Sequence, residues 1–169
     1  MFKFDAVAVD AQAPRGKVKV AAVTMQKNET VLLRTWVRYY SYLFGAHNLY
    51  ILDNGSTVGA SIELLKEAEQ LGVNVCWSFS SPEDFVNKGA VVSGVFDTLL
   101  STYDIALPLD ADEVLILEES TPRIPTPDEM CNHLYSLLNK QSQYLRISTQ
   151  YDNISGTSKV ASAHTKKVL

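Results

Sequence analysis

Short apolar, β-rich runs alternate with segments of helical period along most of the chain, and this alternation restricts the fold more than any other feature. Val18–Met25, Asn48–Leu52, Val73–Phe79 and the run Ile105-Ala106-Leu107-Pro108-Leu109 read as strands. Between them, Thr30–Phe44, Ser61–Leu71 and Ala90–Thr102 read as helices. The first helix carries Val31, Leu32, Trp36, Tyr39, Tyr40 and Leu43 close to a 3.6-residue period, which assigns Trp36, Tyr39 and Tyr40 to the core. Asn28 is placed to cap it, Glu29 lies near its positive end, and Gly45 stops it. Gly72 stops the second helix, and Ser80–Gly89 reads as a polar loop. Further along, Val114–Leu117 and Tyr144–Tyr151 read as strands and Asp128–Lys140 as a helix. Ser120–Pro127 holds Pro122, Pro125 and Pro127 and supports no regular element. Such an order predicts an α/β fold, a sandwich of helices around a mostly parallel sheet, spanning residues 18–169 as one domain. Residues 1–17, punctuated by Pro14 and Gly16, read as a loosely ordered lead-in.

Ligands of open α/β sheets bind at the carboxyl ends of the strands. Three polar clusters follow strands here: Gln26-Lys27-Asn28-Glu29, Asp53-Asn54-Gly55-Ser56-Thr57 and Asp110-Ala111-Asp112-Glu113. In a parallel sheet all three lie on one edge. The last concentrates three carboxylates in four residues, which repel one another unless a positive charge sits among them. In an extended segment Asp110 and Asp112 share one face, and their oxygens can converge on a hard cation such as Mg²⁺ or Mn²⁺. Simpler roles compete at several positions: helix capping for Asn28 and Glu29, a turn-forming role for Asp53, a solvated loop position for Lys88 instead of a phosphate contact.

Composition narrows the function classes. The chain has 169 residues, 46% of them hydrophobic, enough for one domain with a core. A net charge of −4 provides no basic footprint for nucleic acid. Cys76 and Cys131 form neither a disulfide framework nor a zinc motif, and Cys76 reads as a small core residue. His47, His133 and His164 are scattered and form no ligand set. No apolar run approaches the ~20 residues that span a bilayer. The N-terminal residues lack the apolar stretch of a signal peptide, so a cytoplasmic setting is expected, with peripheral attachment to a membrane through a partner left open.

The motifs together resemble family-2-type glycosyltransferases of the GT-A fold, in particular a subgroup whose early helix begins with Asn-Glu and carries Trp-Val. The residues concerned are Val23 to Glu29, Leu33-Arg34-Thr35-Trp36-Val37-Arg38-Tyr39-Tyr40, Leu49 to Thr57 and Leu107 to Glu113. The resemblance covers roughly residues 18–118. It implies a GT-A-like three-layer α/β/α sandwich that binds a UDP- or GDP-linked sugar and transfers the sugar to an acceptor hydroxyl of unknown identity. Thr24, Gln26, Asn28 and Glu29 would line the base and ribose, Asp53 would accept a hydrogen bond from the base, and Asn54, Gly55 and Ser56 would shape that pocket. Lys88 would meet a phosphate. Asp110 and Asp112 would form the Asp-x-Asp pair, with Asp112 a direct ligand of Mn²⁺ or Mg²⁺ and Asp110 near the ribose or a metal-bound water. Glu113 and Asp152 are the candidates for a general base, Glu113 alternatively orienting the site, and His164 for a late metal ligand. The acceptor half is expected to be minimal or missing from the chain.

Two other classes fit parts of the pattern. Haloacid-dehalogenase-like phosphatases also place Asp-x-Asp after an apolar strand, with the first Asp as nucleophile and the second as acid. That motif normally follows the first strand, and Val114 stands where a small hydroxyl residue is usual. A non-catalytic domain that binds a nucleotide, or one completed by a partner, is the third reading.

Overall fold

The computed structural model describes residues 18–117, 123–138, 150–153 and 160–163. Four parallel strands form the central sheet: β1 (Val20–Gln26), β2 (Leu49–Asp53), β3 (Asn74–Cys76) and β4 (Ile105–Pro108), in the order β3-β2-β1-β4. Every residue of β1 is buried, as expected for a strand paired on both edges and covered on both faces. Its side chains alternate between two cores. Val20 and Ala22 face α1 (Val31–Phe44), α2 (Gly59–Gln70) and α5 (Pro127–Leu138), whereas Ala21, Val23 and Met25 face α4 (Lys88–Leu99). The result is the expected three-layer sandwich. A separate antiparallel pair joins β5 (Gln150–Asn153) to β6 (Val160–Ala163). No described helix is long and apolar enough to cross a membrane.

Helix α1 supplies the largest buried side chains. Trp36, Tyr40 and Phe44 lie on consecutive turns with ring centroids 5.1 and 5.9 Å apart. Each fully buried ring contributes roughly 2–3 kcal/mol by removal from water. Gly45 ends the helix with φ +88° and ψ 141°, a conformation that side chains avoid, and donates its N–H to Ser41 O.

Four local expectations are corrected. Asn28 does not cap α1: it takes φ +60°, and its side chain bonds elsewhere, while Thr30 occupies the cap position without a side-chain bond. The third strand stops at Cys76, paired with Leu52 one residue before β2 ends, and beyond it the carbonyls of Phe79 and Ser81 accept from the Asn54 side chain. Ser80–Gly89 is not all loop. Ser81 and Asp84 form a reciprocal capping box with Pro82 in the first turn, starting α3 (Pro82–Val86), and α4 begins at Lys88. Val114–Leu117 is not a strand. Side chains of α1 bond its backbone, and Leu117 makes only an isolated bridge to Arg123. The expected strand Tyr144–Tyr151 lies outside the described residues except for its last two positions, which open β5.

At the start of α5, Glu129 accepts two bonds from the Arg123 guanidinium at 2.8 and 2.9 Å, and bonds from the Thr126 N–H and hydroxyl. The Arg123 bonds, then those of Thr126, hold its carboxyl down at about 2, against 4.5 ordinarily. A depressed folded-state value means that this cap stabilises fully above about pH 4.5 and is lost as pH falls through about 2. Carbonyl NMR titration of Glu129 is expected to show this low midpoint, and Arg123→Ala to return it toward the ordinary range. Gly45→Ala is expected to cost roughly 1–3 kcal/mol in urea unfolding, since the new Cβ is forced into a disfavoured backbone region.

Candidate functional site

Strand order runs outward from β1 to β2 and β3 on one side and returns to β4 on the other, so the topological switch point lies between β1 and β4. Ligands of such sheets bind in the crevice beyond the carboxyl ends at that point. The loops after β1, β2 and β4 all emerge there, which brings the three polar clusters to one edge.

Parallel register sets Gln26 beside Asp53 as the last residues of their strands. Paired residues project to the same face, and Gln26 Nε2 donates to Asp53 Oδ1 at 2.6 Å. The Asp53 carboxylate, 2% exposed, also accepts from the Ser56 hydroxyl at 2.6 Å and the Ser56 N–H at 2.9 Å. A buried carboxylate requires such a full set of donors. Gln26 Oε1 accepts the Glu29 N–H at 3.0 Å, and Ser56 Oγ accepts the Asn28 N–H at 2.8 Å. Asn28 Oδ1 accepts the N–H groups of Thr57 and Val58 at 2.7 and 3.0 Å, which ties the first loop to the entrance of α2. The left-handed backbone at Asn28 is one that Asn tolerates. Ser61, unnoticed in the sequence, is fully buried and donates to Glu29 O at 3.0 Å. Asn54 donates to Phe79 O and Ser81 O, drawing the segment after β3 over the end of β2. Gly55 is required twice over: its φ is +70°, and a Cβ would stand 3.0 Å from Ser80 O. Thr24 lies two residues inside the end of β1, 1% exposed, with no hydrogen-bond partner for its hydroxyl among the described residues.

The acidic segment after β4 is not extended. Glu113 N–H donates to Asp110 O at 2.9 Å, closing a turn, and Glu113 Oε2 accepts the Asp110 N–H at 2.9 Å. Strand alternation therefore does not relate Asp110 to Asp112: self-capping by Glu113 bends the chain before a second extended residue is reached. Asp110 pairs with Lys88 at the start of α4, and both side chains are partly exposed, which weakens the pair through solvent. Asp112 is exposed. Asp152 lies on β5 without a described side chain, and His164 lies outside the described residues.

Two carboxylates in one turn do not make a closed metal cage, and among the described residues no group of three or more His, Cys, Asp or Glu is placed to hold an ion. Mg²⁺ commonly takes one or two carboxylates and completes its shell with substrate phosphates and water. The donor set of this turn fits an ion of that kind, carried with a diphosphate.

Three polar tips from α1 hold the flanks of the turn. Trp36 Nε1 donates to Leu109 O at 3.2 Å, Tyr39 OH to Leu115 O at 2.6 Å, and Tyr40 OH to Glu113 O at 3.1 Å. Tyr40 OH also accepts the Leu115 N–H at 3.0 Å. Burial pushes Tyr39 up to about 12, with neighbouring Tyr42 adding to it. Burial likewise raises Tyr40 above the ordinary tyrosine value, so both hydroxyls keep their protons at neutral pH. Helical spacing identified these residues as core. Their polar tips were the signal that the core role was not the whole of it.

No family model matches the chain, and no solved structure matches it significantly. Among curated proteins it is similar to hyaluronan synthases of Streptococcus pyogenes, including those of serotype M1 and of serotype M18 strain MGAS8232. Identity is 29% over 160 residues, covering 89% of this chain and 38% of the relatives. The chain thus spans well under half the length of the synthases it resembles.

Proposed function

We propose that this chain carries the nucleotide-sugar-binding part of a family-2-type glycosyltransferase, which moves a sugar from a UDP- or GDP-linked donor to an acceptor hydroxyl. The observation that carries the reading is the gathering of three polar clusters at the switch point of a parallel sheet, in a chain similar to hyaluronan synthases. Base and ribose would rest on the loops Gln26–Glu29 and Asp53–Ser56. The bonds among Gln26, Asp53 and Ser56 tie those loops to one another, which lowers the ordering that binding must supply. Three donors already fill most of the lone-pair positions on Asp53, leaving about one for a base N–H.

Asp110 and Asp112 would hold Mn²⁺ or Mg²⁺ beside the diphosphate. An ion bound there supplies Lewis-acid stabilisation of the leaving diphosphate. Lys88, now paired with Asp110, would turn its ammonium toward a phosphate oxygen and offset charge at the same place. Glu113 is occupied in capping Asp110, which suits orientation of the turn better than proton transfer and leaves Asp152 as the other candidate base.

Titration calorimetry with UDP and GDP, with and without Mn²⁺, tests this reading. The intact protein is expected to bind one of them more tightly with the ion. Asp112→Ala should remove at least about tenfold of that gain, or ~1.4 kcal/mol. Lys88→Ala should weaken nucleotide binding by roughly tenfold with the ion's effect retained. Absence of binding by the intact protein, or binding untouched by Asp112→Ala, would overturn the donor site.

A further inference from the structure

We infer that Trp36, Tyr39 and Tyr40 of α1 are positioning residues for the acidic turn, holding its flanks so that the Asp110 and Asp112 carboxylates meet the donor's diphosphate in a fixed place. The inference rests on the donor-site reading above and assigns these residues a task that core packing does not require.

The three occupy positions i, i+3 and i+4 of one helix and so present neighbouring side chains on one face. Phenylalanine would fill the same space at the two tyrosine positions, and packing alone requires no ring N–H at Trp36. Instead each carries a polar tip, and all three tips reach the backbone of residues 109–115. Trp36 takes the entry to the turn at Leu109. Tyr40 takes the exit twice, donating to Glu113 O and accepting from Leu115 N–H, and Tyr39 takes Leu115 O. Between those anchors the turn closes on itself through Asp110 and Glu113. These bonds go to Leu109, Glu113 and Leu115 and spare Asp110, Ala111 and Asp112, so the helix holds the frame without consuming the carboxylates. Among the described residues the anchors also take the place of a strand ladder after β4, beyond the bond from Leu109 N–H to Val23 O. A reacting geometry misplaced by on the order of 1 Å can lose about a hundredfold in rate, so such a frame has a functional use.

The test compares Trp36→Phe, Tyr39→Phe and Tyr40→Phe with Tyr42→Phe, a half-exposed tyrosine on the same helix that has no part in the frame. UDP and GDP affinities are measured with and without Mn²⁺, well below each variant's Tm, alongside amide exchange at Asp110, Glu113 and Leu115. For Tyr40→Phe, exchange at Leu115 should quicken about fivefold or more, as its acceptor is gone. The affinity gained from Mn²⁺ should fall roughly tenfold, while ion-free affinity stays within about twofold. Tyr39→Phe and Trp36→Phe should shift the Mn²⁺-dependent gain in the same direction, and Tyr42→Phe should change neither readout. A merely structural hydroxyl would lower Tm and leave the ratio of affinities unchanged. An intact ratio in all three variants, with wild-type binding normal, overturns the inference alone. No nucleotide binding by the wild type overturns the donor reading and the inference with it, and faster exchange at Leu115 would then assign the bonds to turn structure only.

Discussion

Parallel pairing of β1 with β2 on one edge and β4 on the other is the constraint on which the rest depends. A strand paired on both edges and covered on both faces calls for apolar residues, and β1 is apolar from Val20 to Val23 and at Met25, with Thr24 and Gln26 as its polar exceptions near the carboxyl end. The register then dictates which side chains meet where the strands end. Gln26 stands beside Asp53, and Val23 beside Pro108 carries the acidic turn to the neighbouring position. The polar chemistry of the edge is thus a product of apolar packing several residues below it.

Beyond the strand ends, side chains take over the work of the ladder. Side chains of Asp53, Gln26, Ser56 and Asn28 satisfy the N–H groups of five loop residues, Asn28, Glu29, Ser56, Thr57 and Val58, which would otherwise need water or secondary structure. Net gain from each such bond is modest, about 1 kcal/mol, but leaving one buried partner without the other costs more. On the far side of the crevice the same substitution occurs, with Trp36, Tyr39 and Tyr40 bonding the backbone that follows β4. Helix α1 meets the acidic turn from one layer of the sandwich and Lys88 meets it from the other.

Sequence reading recovered the parts governed by period. Four sheet strands, the long helices and their order followed from apolar spacing, as did the gathering of polar clusters at one edge. It failed where a side chain competes with a ladder. Val73–Phe79 is long enough and apolar enough for a strand, but Asn54 claims the carbonyl of Phe79. Val114–Leu117 failed likewise because tyrosine hydroxyls hold its backbone. Neither competition is visible without knowing what lies alongside. The short helix at Pro82 is different: Ser81-Pro82-Glu83-Asp84 carries both a capping box and a first-turn proline, so its start is legible in the sequence despite the polar composition of the segment. At the carboxyl edge of the sheet, residue types indicated which clusters come together but not the bonds among them. The turn at Asp110 depends on Glu113 folding back, which no spacing rule for strands anticipates.

The knot of side chains at the ends of β1 and β2 has an evolutionary consequence. Gln26 both donates to Asp53 and accepts from Glu29, while Ser56 serves Asp53 and Asn28 at once. A mutation at any one of these positions strands a partner whose replacement would need a second change. Single steps are therefore costly, and Gln26, Asn28, Asp53 and Ser56 should persist or be exchanged as a set in divergent lineages, while the apolar strands beneath them tolerate exchange among aliphatic residues of similar volume.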